Sequence, residues 1–161
     1  MKKTLKTVLF LFTFILLNGF ELKASDTANF WNYAKNFEAG QKETVEREWG
    51  RENIIYLGMM DWKTPSGKTV HLRIITSYRQ ITKANGFNDQ SVLALVKTNN
   101  ELIKIYDMVK RQNLPIEIRD NQLVYKPESD EILATLPVKF SQRFCVTGLN
   151  CFNEIYALRY N

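Results

Sequence analysis

Residues 53–81 constrain the fold most, because their pattern is that of one long β-hairpin. The turn at residues 64–67 reads TPSG: its proline suits the second position of a type I turn, and its glycine suits a bulge residue with positive φ. This turn sets a register that pairs Thr64 with Lys68, Trp62 with Val70, Met60 with Leu72 and Tyr56 with Thr76.

Side chains alternate between the two faces of a strand, so this register divides the hairpin into two faces. We expect the more apolar face to pack on the core. Apolar residues near the base of the other face predict that this end of the hairpin is covered on both sides. The first face holds Ile54, Tyr56, Met60, Trp62, Val70, Leu72, Ile74 and Tyr78; the second holds Asp61, Lys63, His71, Arg73, Ser77 and Arg79, with Ile55, Leu57, Met59 and Ile75 among them.

The first 24 residues have the pattern of a secretory signal peptide. A basic start precedes an apolar run at residues 7–17, which is shorter than the roughly 20 residues that span a bilayer. An uncleaved membrane anchor is the less favoured alternative. We predict cleavage after Ala24, with Gly19 as second choice, and a single β-rich domain at residues 25–161 that is periplasmic or secreted, without stable membrane insertion.

The charge of the exported chain is nearly balanced. The leader holds four of the 22 basic residues and one of the 17 acidic residues, which leaves 18 against 16 and a net charge of +2. Strong nucleic-acid binding needs many unpaired cations, so this balance argues against a nucleic-acid partner.

The two cysteines, Cys145 and Cys151, are predicted to form a structural disulfide. Exported proteins fold where paired thiols oxidise, and Gly148 and Asn150 allow the chain to turn back between them. The spacing differs from the Cys-x-x-Cys pattern of redox motifs.

Other segments repeat the hairpin pattern. Residues 116–126 form a hairpin around Asp120 and Asn121, and residues 91–110 form one around Asn99 and Asn100. A single helix is the alternative for residues 91–110. In the hairpin, Val96 pairs with Ile103 and Ala94 with Ile105.

The chain begins, after the leader, with a predicted helix at residues 25–38, capped by Ser25 or Asp26. Residues 41–52 are charged and predicted to be a solvated connection, and the last strand is expected at residues 154–160. Hairpins joined in sequence predict a mainly β fold, α+β at the margin: an antiparallel meander of about seven or eight strands with the helix packed on it. Closure into a barrel is left open.

The supply of reactive side chains is small. One histidine and a bonded cysteine pair give no metal-ligand set, so we expect no metal and no cofactor. His71 lies opposite Asp61 in the register, which resembles part of a catalytic triad. Ser77 is too far along the strand to act as nucleophile, so a cross-strand charge pair is the favoured interpretation.

We therefore predict a small exported binding or inhibitory protein without catalytic activity, whose partner is a protein or a glycan. One form is an inhibitor whose turn at residues 65–68 enters an acidic enzyme cleft. The alternatives are a structural or assembly component of the cell envelope and a hydrolase that uses Asp61 and His71. Basic residues on several strands are expected as scattered charges, with one shared positive surface as the alternative. The candidate binding residues are Trp49, Ser66, Lys68, Asp61, His71 and Arg73.

Overall fold

The computed structural model describes residues 30–83, 86–128, 130–141 and 143–155. The predicted signal peptide, its cleavage sites and the caps Ser25 and Asp26 lie outside these ranges. No helix among the described residues has the length and apolar character needed to cross a membrane.

The described chain is mainly β, with seven antiparallel strands in one sheet and three in a second. The prediction of a β-rich antiparallel fold with one N-terminal helix is confirmed. The larger sheet, called sheet A, has the order β1-β2-β3-β4-β5-β10-β9, and sheet B has the order β6-β7-β8. The strands are β1 (Lys42–Arg47), β2 (Gly50–Lys63), β3 (Thr69–Lys83), β4 (Gly86–Lys97), β5 (Leu102–Asp107), β6 (Glu117–Arg119), β7 (Gln122–Tyr125), β8 (Ile132–Ala134), β9 (Arg143–Cys145) and β10 (Cys151–Glu154).

Among the described residues, two helical segments accompany the sheets. Helix α1 (Phe30–Tyr33) continues into a 3-10 turn (Ala34–Asn36), and a second 3-10 turn (Arg111–Asn113) follows β5. The helical segment buries Phe30, Trp31 and Ala34, whereas Tyr33 is 44% exposed. Helical structure ends at Asn36 and not at the predicted residue 38.

The segment at residues 41–52 contains β1, which corrects its prediction as a solvated connection. Lys42 pairs with Ile55 and Arg47 with Gly50, so this charged strand forms one edge of sheet A. Alternating charged side chains are typical of edge strands, because they discourage pairing with another chain. The edge strand β1 and the short strand β9, neither of which was predicted, raise the strand number in the described residues above the seven or eight expected.

The register of the central hairpin is confirmed near the turn and wrong near the base. Trp62 pairs with Val70 and Met60 with Leu72, but Tyr56 pairs with Ile75 because a β-bulge lies between Tyr56 and Gly58. Gly58 has φ +133°, a conformation that residues with a side chain rarely adopt.

The bulge exchanges the faces of β2 on its base side. Ile54 and Tyr56, predicted to share a face with Met60, instead share the face of Ser77 and Ile75, their cross-strand partners. Leu57 joins the core cluster of Met60 in their place. One additional residue reverses the alternation for every position beyond it.

The main core lies between sheet A and the elements that follow β5. It includes Leu72, Leu93, Tyr106, Leu123 and Phe152, all completely buried. The helical segment lies on the opposite face of sheet A. This position is shown by the Arg73 guanidinium, which donates to the carbonyl of Ala34 in the 3-10 turn of that segment. The prediction that the hairpin base is covered on both faces is confirmed.

The burial of Arg73 and Arg79 corrects their prediction as outward residues on the solvated face. They are 7% and 1% exposed. The Arg79 guanidinium lies 5.3 Å from the ring centroid of Phe30. Sequence alternation places both arginines on the second face correctly, but it gives no indication that a helix covers that face.

The other two predicted hairpins are present in the structure. Residues 91–110 contain β4 and β5, joined by a turn in which Asn100 has φ +69°, so the helix alternative is wrong. Ala94 pairs with Ile105 as expected, whereas Val96 pairs with Leu102 because of a bulge. In the third hairpin, Ile118 pairs with Leu123 across a turn whose two residues both have positive φ.

The predicted disulfide between Cys145 and Cys151 is present, with an S–S distance of 2.04 Å. The two cysteines are direct cross-strand neighbours on β9 and β10. The last described strand begins at Cys151 and not at Glu154, so the predicted strand start is wrong. Residues 156–160 of that prediction lie outside the described residues.

Candidate functional site

The candidate site is the end of the β2–β3 hairpin, residues 61–71, which we call the arm. The last pair between β3 and β4 joins Leu72 to Lys97, and β1 pairs with β2 no further than Ile55. The two strands of the arm therefore extend past both neighbouring strands of sheet A. This geometry presents the turn as the outermost part of the sheet.

Hydrogen bonds within the turn fix its shape. The backbone N–H of Gly67 donates to the carbonyl of Thr64 at 2.9 Å, and the N–H of Thr64 donates to the carbonyl of Lys68 at 2.8 Å. The Thr64 hydroxyl accepts from the N–H of Lys68 at 3.1 Å and lies 2.9 Å from the Ser66 hydroxyl. Ser66 and Lys68 are exposed at this ordered tip.

Trp62 anchors one face of the arm to the C-terminal part of the chain. Its indole N–H donates to the carbonyl of Pro137 at 2.8 Å. Its ring stacks on Phe140, with 4.3 Å between the centroids. Because the indole is both stacked and hydrogen-bonded, this face is fixed to the segment at residues 137–140.

Asn121 holds the outer edge of β2. Its side-chain oxygen accepts from the backbone N–H of Asp61 at 2.7 Å, and its side-chain nitrogen donates to the carbonyl of Asp61 at 3.0 Å. The amide thus makes the two bonds that a neighbouring strand would make to this residue. Sheet B and the arm are joined at this point.

The other face of the arm carries the pair that the sequence placed opposite each other. His71 Nδ1 lies 2.6 Å from Asp61 Oδ1, and the two side chains are 60% and 56% exposed. Within the described ranges, no serine or threonine hydroxyl is hydrogen-bonded to His71. The described residues also include no group of three or more potential metal ligands. This geometry is that of an exposed cross-strand pair.

A shallow groove of about 350 Å³ runs beside the arm. Val138 on its wall is 64% exposed, which leaves an apolar side chain open to a partner. The groove is lined by Asp61, Trp62, Lys63, Asn121, Thr135, Leu136 and Val138.

Three exposed lysines border the arm and its groove: Lys63, Lys68 and Lys139. Neither Lys63 nor Lys68 makes an ion pair with any residue in the described part of the chain. Lys139 lies between Val138 of the groove and Phe140 of the stack on Trp62. The tip is therefore cationic and its charges are available to a partner.

Two predicted binding residues lie elsewhere. Trp49 is in the β1–β2 turn, separated from the tip by the whole of β2, or about 40 Å of strand. Its half-buried ring packs 5.9 Å from the Arg79 guanidinium. Arg73 is buried, 4.7 Å from the ring of Tyr56, and donates to Asn100 Oδ1 at 3.3 Å. The arm contains four of the predicted binding residues, Ser66, Lys68, Asp61 and His71. Trp49 and Arg73 do not belong to it.

The strand cations do not form one positive surface. Lys97 pairs with Glu101, Lys104 with Glu154, and Arg119 with Glu117 and Glu131. Arg73 and Arg79 are buried, so none of the five contributes an exposed, unpaired charge.

Sequence reasoning missed Asn121, Pro137 and Val138 as parts of this region. Asn121 was predicted only as a turn residue, because its contact with Asp61 spans 60 positions of sequence. No local pattern encodes a contact of that separation. No protein-family model matches the chain, and no curated protein or solved structure matches it.

Proposed function

We propose that this protein is an exported, non-catalytic binding protein that inserts its arm into an acidic cleft of a partner protein. The observation that carries the proposal is the unpaired cationic tip on a fixed turn. Lys63 and Lys68 make no ion pair within the described residues, so a partner's carboxylates can pair with them without breaking an existing ion pair.

Pre-organisation supports an inhibitory mode of binding. A ligand that is already rigid in its bound shape loses little conformational entropy on association. The turn hydrogen bonds of Thr64 and the anchors at Trp62 and Asp61 hold the arm in one shape before any partner arrives. The exposed Val138 beside the groove adds an apolar contact for the rim of the partner's cleft.

Export rests on the leader pattern and is supported by the disulfide between Cys145 and Cys151, since such bonds persist in oxidising compartments. The charged edge strand β1 favours binding over assembly in the cell envelope. Its sequence KETVER offers a second copy few apolar contacts for strand pairing.

A crosslinking experiment tests the proposal. A photo-reactive amino acid replaces the exposed Ser66, and the protein is incubated with the proteins outside the producing cells. We expect a crosslinked partner whose yield falls at least about tenfold with Lys68→Glu, because a carboxylate repels an acidic cleft.

Lys42→Glu is the matched control, because Lys42 is also an exposed lysine but lies on β1 away from the tip. It makes the same charge change and should retain the yield. The proposal is wrong if the two variants reduce crosslinking equally. It is also wrong if every crosslink obtained with the probe at residue 66 is obtained with the probe at residue 42.

A further inference from the structure

A second concavity lies on the core-side face of sheet A, near the base of the hairpin. Its floor is formed by two cross-strand pairs, Asn53 with Tyr78 and Ile55 with Thr76. Its wall is the chain that leads from the second 3-10 turn into β6, and comprises Arg111, Leu114, Pro115 and Ile116.

The size of this pocket, about 190 Å³, suits a ligand of about one ring. For comparison, a cavity of about 150 Å³ in another protein accepts benzene. Ile55, Leu114 and Pro115 supply apolar walls, and Ile116 is 54% exposed at the rim. The pocket therefore offers an apolar ligand substantial contact and an open entrance.

Arg111 is the charged group of the pocket. Its guanidinium lies 5.0 Å from the ring centroid of Tyr78 and makes no ion pair within the described ranges. The Tyr78 hydroxyl donates to Asp89 Oδ2 at 2.7 Å, so this carboxylate is hydrogen-bonded to the tyrosine. A guanidinium that stacks on a ring keeps its N–H groups available for a carboxylate.

The other polar groups of the floor also have hydrogen atoms to donate. Asn53 accepts a hydrogen bond from the Thr44 hydroxyl through Oδ1 at 2.8 Å, and its side-chain nitrogen has no partner in the described residues. Among those residues the Thr76 hydroxyl has no hydrogen-bond partner either, although Thr76 is only 1% exposed. A pocket with one cation and two free donors matches the chemistry of an anion.

We propose that this pocket binds a small carboxylate with an apolar body, in which Arg111 pairs with the carboxylate and the apolar body lies against Ile55 and Leu114. Asn53 and Thr76 donate to the same anionic group. The pocket is separated from the arm tip by about ten residues of β2, so the proposal does not depend on the proposed function.

Titration with benzoate tests the proposal on the purified protein, observed through the backbone amide signals in NMR. We expect saturable shifts centred on Thr76, Tyr78 and Ile116, with a dissociation constant on the order of a millimolar, as few ligand atoms allow. Benzamide, which has the same shape without the charge, should bind at least about fivefold more weakly.

Two variants and a control separate the roles of the groups. Arg111→Met keeps the length of the side chain and should weaken benzoate binding about fivefold or more while leaving benzamide unchanged. Thr76→Val keeps the shape and should weaken benzoate more than benzamide, because hydrogen bonds to a charged acceptor are stronger. Lys110→Met removes an exposed neighbouring cation and should have no effect.

Three results would overturn the proposal: no saturable shifts up to about 20 mM benzoate, equal affinity for benzoate and benzamide, or equal loss with Lys110→Met and Arg111→Met. The amide spectrum of each variant reports whether it is folded. If Arg111→Met is unfolded, the benzamide comparison and Thr76→Val decide the outcome.

Discussion

Arg79 donates from Nε to Glu52 Oε1 at 2.8 Å, and both side chains are almost completely buried in the face of sheet A that the helical segment covers. The Ser77 hydroxyl donates to the same oxygen at 2.6 Å, and Arg47 Nη2 lies 3.1 Å from Oε2. One carboxylate thus receives hydrogen bonds from three side chains. Because both charges are out of water, each depends on the other for its stability in the fold.

Glu52→Gln should destabilise the protein by about 3–5 kcal/mol, because it removes the buried carboxylate that Arg79 and Arg47 share. Urea unfolding followed by tryptophan fluorescence measures this change. Glu46→Gln is the control, since Glu46 pairs with Arg51 in solvent and should change stability by less than about 0.5 kcal/mol. Similar losses in the two variants would contradict the burial argument.

Asn121→Gly should lower stability by about 1 kcal/mol, because it removes both hydrogen bonds to Asp61 and keeps the positive φ of +60° without strain. Asn121→Ala should lower it by about 1 kcal/mol more, since alanine adopts that conformation poorly. Amide hydrogen exchange at Asp61 provides a local measurement and should accelerate in both variants. Unchanged exchange at Asp61 would show that Asn121 does not hold this edge.

Tyr125→Phe should leave stability unchanged or raise it by up to about 1 kcal/mol, because its buried hydroxyl has no hydrogen-bond partner among the described residues. Tyr106→Phe is the comparison, since the Tyr106 hydroxyl donates to the carbonyl of Ser141 at 3.3 Å. Its loss should lower stability by about 0.5–1 kcal/mol. Thermal unfolding of both variants measures the difference, and a larger loss for Tyr125→Phe would refute the assignment.

Alkaline pH should destabilise the fold. Burial, with a smaller effect of Glu154, raises the pKa of Tyr106 to about 12, above its ordinary value of 10.0. The folded state therefore binds the Tyr106 proton more tightly than the unfolded state does. The contribution of the protonated hydroxyl to stability is complete below pH 10 and is lost as pH rises from 10 towards 12. Urea midpoints at pH 9 and pH 11.5 should differ, and Tyr106→Phe should reduce the difference. A pH dependence that is the same in Tyr106→Phe would assign the effect to other groups.

Removing the disulfide with Cys145→Ser and Cys151→Ser together should lower stability by about 2–3 kcal/mol, the expected range for a short closed loop. The cross-strand contact between Phe144 and Phe152 remains, so the hairpin should persist with faster amide exchange. Chemical unfolding of the double variant, compared with the oxidised parent protein, measures the change. A double variant as stable as the oxidised parent would remove this role for the bond.

Turn chemistry in the sequence predicted the hairpins well. Proline and glycine at residues 64–67, Asn99 with Asn100, and Asp120 with Asn121 each lie at an observed turn. The reason is that the fixed negative φ of proline and the tolerance of positive φ by glycine, asparagine and aspartate are local properties of these residues. The pairing of Asp61 with His71 followed from the first of these turns. Four of the six predicted binding residues share the arm for the same reason.

The sequence by itself determined the hairpins, their turns and the cysteine pair, since each depends on residues close together in the chain. Only the tertiary structure decided which charged side chains are buried and which are exposed and available to a partner. The bulge before Gly58 reversed the faces of Ile54 and Tyr56, and the helical segment covered Arg73 and Arg79. Asn121 reached Asp61 across 60 positions. The alternation of side chains is local, whereas the cover over each face comes from distant segments whose packing no short pattern encodes.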